Sequence, residues 1–120
     1  MMTKVLVIDI NFMFLEDIKK NFNDYLVKNG KSIEVEIFNP GTWAGNDFRE
    51  MLVCLEKNEY SLYIIGHTAS LLRSKDINQK AEEYGCKVKY LGPTGSAPTE
   101  QGYRNLLKII EESIWEDITS

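Results

Sequence analysis

Asp9 and His67 are the side chains here best suited to moving protons or holding charge, and each ends an apolar run. Val5-Leu6-Val7-Ile8 runs into Asp9-Ile10-Asn11, and Leu62-Tyr63-Ile64-Ile65 runs into Gly66-His67-Thr68-Ala69-Ser70. His67 is the only histidine in the chain. If the two tips lie side by side, the Asp9 carboxylate accepts a hydrogen bond from one ring nitrogen of His67 and poises the other as a base. Ser70 or Thr68 would then supply a hydroxyl nucleophile. The plainer reading makes Asp9 a helix cap and His67 a hydrogen-bonded structural residue, with Thr68 and Ser70 as turn or cap residues. Gly66 suits a tight turn or the close approach of a ligand.

A second group of candidates suits anion binding. The segment from Gly92 to Gly102 is the longest irregular stretch, and Thr94, Gly95 and Ser96 lie in it just before a helix. Backbone N–H groups at a helix start suit an anion, and Arg104 stands one turn in. The segment has neither the Walker lysine pattern nor G-x-G-x-x-G spacing. Trp43, set between flexible residues in Asn39–Asn46, either stacks on a ligand or partner or folds down on the sheet edge. The sequence indicates no metal-ligand set, and the cofactor is unknown.

The elements that must position these residues alternate between strand and helix periods. Strands are expected at 4–9, 32–38, 60–65 and 86–91. Helices follow with apolar faces Leu15/Ile18/Phe22/Tyr25/Leu26, Phe48/Met51/Leu52/Leu55, Ile77/Ala81/Tyr84 and Tyr103/Leu106/Leu107/Ile110/Ile114. Gly30 and Gly85 are the expected stops, and Asn11, Asn46 and Ser74 the expected caps. Such alternation implies a parallel sheet with right-handed crossovers. The first and third strands are continuously apolar, as strands covered on both faces are. The second alternates Ile33, Val35, Ile37 with Glu34, Glu36; the fourth alternates Cys86, Val88, Tyr90 with Lys87, Lys89. Charged alternation belongs at sheet edges. The expected order is therefore 2-1-3-4, a three-layer flavodoxin-like (Rossmann-like) α/β domain over residues 1–120. Its ligand site is expected beyond the strand ends, where the order reverses between strands one and three.

Bulk composition narrows the function classes. A net charge of −4 with interspersed signs argues against a sequence-independent grip on nucleic acid. No apolar run approaches a membrane span and no leader pattern precedes Asp9, so a cytoplasmic protein is expected. Cys54 and Cys86 read as buried free thiols.

Lys4–Leu15 resembles the opening of a response-regulator receiver domain, and the length and βα order resemble that family over much of the chain. In that comparison only Asp9 matches the acidic pair after strand one, with Ile10 in the second place. The phosphoacceptor position after strand three falls on Gly66-His67. The resemblance therefore implies a pseudo-receiver. The strand order also resembles the IIB domains of sugar phosphotransferases, whose nucleophilic cysteine follows strand one where this chain has Asp9-Ile10-Asn11.

Three functions follow. The first is a signalling module that recognises a small anionic ligand, such as a nucleotide or phosphate ester, or a protein partner. Its site would be Asp9, Asn11, Gly66, His67, Thr68, Ser70, Thr94, Gly95 and Ser96. The second is a small hydrolase or transferase using His67, Asp9 and Ser70 or Thr68. The third is a subunit of a larger assembly, possible as a homo-oligomer, with Trp43 or Trp115 at its interface.

Overall fold

The computed structural model describes residues 3–10, 12–92 and 100–119, with the side chains of 12–18, 100–103 and 114–119 left aside. Its elements run β1 (Thr3–Ile8), α1 (Phe12–Lys28), β2 (Ile33–Phe38), α2 (Gly45–Lys57), β3 (Leu62–Ile65), α3 (His67–Leu72), α4 (Ser74–Tyr84), β4 (Val88–Tyr90) and α5 (Glu100–Thr119). The four strands form one parallel sheet of order β2-β1-β3-β4, as the charge alternation of the outer strands requires.

Register decides which side chains face which helices. Val5 pairs with Val35 and with Leu62, while Ile8 pairs with Phe38 and with Ile65. Side chains alternate along each strand, so Val5, Val7, Val35, Leu62 and Ile64 turn to one face and meet Phe22, Leu26, Leu106 and Ile110. Leu6, Ile8, Tyr63 and Ile65 turn to the other and meet Phe48, Met51, Leu55 and Ile77. Each of the fully buried aliphatic and aromatic side chains among these contributes roughly 1.5–3 kcal/mol over an exposed position. The sheet is thus covered by α1 and α5 on one side and by α2 and α4 on the other.

The outer edge of β2 is closed locally. Asn23, on α1, accepts from the Val35 N–H at 3.0 Å and donates its side-chain amide to the Val35 carbonyl at 2.9 Å. One side chain therefore does for Val35 what a fifth strand would do.

Several local expectations change. His67–Leu72 is a short helix rather than a loop tip. Asn46 lies inside α2, whose N-cap is Ala44 without a side-chain bond, and the N-cap of α4 is Arg73 rather than Ser74. Gly85 does end α4, at φ 70. Tyr84 turns out to solvent, 40% exposed, with Lys80 over its ring instead of a place in the core. Cys54 and Cys86 are free and half-buried. The expected Asn11 cap and the Trp115 contact lie outside the described residues.

Candidate functional site

The central strand tips meet as the order predicts. The Asp9 N–H donates to Phe38 O and the Gly66 N–H to Ile8 O, which extends both pairings to the rim. Asp9 is buried, 8% exposed, and its Oδ1 accepts the Ile10 N–H at 2.8 Å. The carboxylate lies flat against Gly66. A Cβ at position 66 would stand 2.5 Å from Asp9 Oδ1 and 2.6 Å from its Cγ, inside any real contact distance. Glycine is required there because the acid occupies the space of a side chain. α1 begins three residues beyond Asp9, so the positive end of its dipole falls on the carboxylate's side.

His67 does not complete the expected pair. It opens α3 and is half-buried, and no hydrogen bond joins it to Asp9 among the described residues. Ser70 is committed elsewhere, its Oγ donating to the His67 carbonyl at 2.6 Å, a back-bond inside α3. Thr68 is exposed. Of the expected site, Asp9 and Gly66 touch, while His67, Thr68 and Ser70 follow on the next helix. Asn11, Thr94, Gly95 and Ser96 lie outside the described residues.

The β2–α2 connection forms a tied strap beside this rim. Asn39 Oδ1 accepts the Gly41 N–H at 2.8 Å, and the Thr42 hydroxyl donates to Asp47 Oδ2 at 2.8 Å. Arg73 Nε donates to the Trp43 carbonyl at 2.9 Å, and its guanidinium lies 4.8 Å from the Phe48 ring centroid. Trp43 is thereby held down, 5% exposed, in the core. A depression of about 460 Å³ opens there, lined mainly by Ile10, Thr42, Trp43, Thr68, Leu72 and Arg73. Arg73 gave no sign of this role in the sequence, since its partners lie 25 to 30 positions earlier in the chain. A larger concavity of about 670 Å³, between Asn58, Tyr60, Glu82 and Lys87, lies at the opposite rim.

Neither thiol stands at the strand tips. Cys86 Sγ donates to the Leu55 carbonyl at 3.0 Å. Burial pushes both thiols up, chiefly by desolvation, which keeps them protonated and unreactive.

The chain matches no protein-family model and no curated protein. It superposes on the lactose-specific IIB component domain of the phosphoenolpyruvate:carbohydrate phosphotransferase system from Streptococcus pneumoniae, with a TM-score of 0.60. The alignment covers 92% of this chain and 97% of that domain at 18% identity. The fold is that of a IIB domain.

This overturns the receiver resemblance. The receiver-like opening was carried by one apolar strand and one aspartate, which any β1 tip of this architecture can present, whereas the structural likeness spans nearly the whole chain. The pseudo-receiver signalling function falls with it, as do the alternatives, a small hydrolase or transferase using His67 as base with a Ser70 or Thr68 nucleophile and a structural subunit of a larger assembly. Among the described residues, no helix is long and apolar enough to cross a membrane.

Proposed function

We propose that this chain is a phosphotransfer domain of IIB type in which the Asp9 carboxylate takes the place of the cysteine as phosphoryl acceptor. The observation that carries the reading is the position of Asp9. It is a buried carboxylate at the β1 tip, at the sheet's switch point, where IIB domains carry their nucleophile. The two cysteines of this chain stand on other elements, Cys54 within α2 and Cys86 just before the start of β4.

The step is an in-line displacement. A carboxylate oxygen of Asp9 attacks the phosphorus of a phosphohistidine on a donor domain. The P–N bond breaks as the P–O bond forms, and the departing imidazole takes a proton from solvent. The product is an acyl phosphate, a known form of carboxylate nucleophile chemistry. The dipole of α1 favours the added negative charge. A IIA-like donor and a IIC-like sugar-carrying acceptor would be the partners, and the cytoplasm the location.

The test uses phosphoramidate as phosphoryl donor, with and without magnesium, read by intact mass. One added phosphoryl group, labile to hydroxylamine and lost in Asp9→Asn, supports the reading. No adduct under either condition, or an adduct that persists in Asp9→Asn, overturns it.

A further inference from the structure

The rim beside Asp9 carries an apolar surface that the transfer step itself does not use. Among the described residues, Leu71 and Leu72 are 72% and 66% exposed, while the other large exposed apolar side chains, Val27, Val53 and Tyr84, have no such neighbour in sequence. Single exposed apolar residues are ordinary, whereas adjoining ones mark a surface that something covers. Thr68 and Leu72 stand four apart, on one face of α3, and border the depression of about 460 Å³ that Ile10 also lines. The polar groups around it are already engaged. Arg73 is held by the Trp43 carbonyl, the Phe48 ring and Asp76, and the Thr42 hydroxyl by Asp47. α3 itself has no acid in its first turn and no base in its last. This surface offers contact area, not charge.

Its place relative to Asp9 decides what can cover it. α3 opens at His67, next to the glycine that touches the Asp9 carboxylate. Its six residues rise about 9 Å in all, so both leucines lie within that length of the contact. A protein that brings a phosphorylated side chain to a carboxylate only 8% exposed must close down on the rim. A standard interface takes about 800 Å² from each partner, a disc of roughly 16 Å radius. Centred on Asp9, such a disc takes in both leucines and the depression.

We infer that α3 and the depression beside it seat the phosphoryl donor, a protein whose phosphohistidine is flanked by large apolar side chains rather than by charges. The inference rests on the phosphotransfer reading and adds how the donor is recognised. The chemical step is unchanged: the P–N bond of the donor breaks as the P–O bond to Asp9 forms. Apolar side chains of the donor leave water for Ile10, Leu71 and Leu72 and hold the phosphohistidine at the tip. Docking of this kind is insensitive to salt, unlike docking through exposed charges.

The probes are two short phosphohistidine peptides. One has leucine at the two positions on either side of the histidine, and the other has asparagine there, close in size but polar. Transfer to the chain is followed by intact mass, beside labelling of the parent by phosphoramidate. The leucine peptide should transfer on the order of fivefold faster or more, with the same ratio at low and high salt. In Leu72→Ser the ratio should fall toward one, and in Val27→Ser, at the far end of α1, it should hold. A ratio taken within one variant is not moved by a general loss of folded protein. A ratio near one in the parent, one that survives Leu72→Ser, one that collapses at high salt or in Val27→Ser, or no transfer from either peptide while phosphoramidate labels Asp9 overturns the inference. No labelling by phosphoramidate overturns the phosphotransfer reading itself, and this inference with it.

Discussion

Asn23 satisfies both backbone polar groups of Val35, accepting from its N–H at 3.0 Å and donating to its carbonyl at 2.9 Å. The pair joins α1 to the middle of the sheet's outer strand. An exposed strand edge is a template for pairing with another chain, and this amide covers the part of it that lies between Ile33 and Ile37.

Asn23→Ala removes both bonds at once. The expected cost is about 1–3 kcal/mol, because the Val35 groups are partly buried and lose their partner. Urea denaturation measures it. Light scattering should in addition show association that rises with protein concentration in the variant and not in the parent. A variant as stable and as monomeric as the parent would show that water replaces the amide without loss.

Gly66→Ala places a methyl group inside the Asp9 carboxylate. Overpacking of this kind costs typically 1–3 kcal/mol. The cause is separable by a double-mutant cycle: in an Asp9→Ala background the same change should cost well under half as much. An equal cost in both backgrounds would place the strain in the backbone instead.

The Tyr60 hydroxyl donates to the Glu36 carboxylate, which ties the start of β3 to β2 across the sheet face. That bond is the first cause raising the Tyr60 phenol above its ordinary value near 10, with desolvation second. The protonated phenol is therefore the form the fold favours. Its contribution is fully present below the unfolded value of about 10, and is lost as pH rises from there toward the folded one. Burial raises Tyr63 and Tyr90 as well, so the comparison must be with Tyr60→Phe. The stability gap between parent and variant should be about 1 kcal/mol near neutral pH and shrink above pH of about 10. A gap that does not change with pH would deny the bond its role.

The architecture was legible because charge on alternate residues is a strong constraint. Glu34 and Glu36, and Lys87 and Lys89, could not lie in a doubly covered strand, and that alone placed β1 and β3 at the centre. The tip of β1 followed from the same logic. α3 was not legible. Its six residues show no apolar period, only Ala69 is buried, and Leu71 is 72% exposed, so the segment resembles a loop until its backbone is seen. Helical geometry there sends the Ser70 hydroxyl back to the His67 carbonyl. The Arg73 contacts with Trp43 and Phe48 depend on how two connections fold over one another, which no local spacing records.

The contact between Asp9 and Gly66 bears on inheritance as much as on packing. With an acid at position 9, position 66 has room for hydrogen alone. A lineage that enlarges residue 66 must first shorten or redirect residue 9, so the two should change together or not at all. A relative that carries a larger residue at position 66 is therefore expected to carry a smaller or redirected one at position 9.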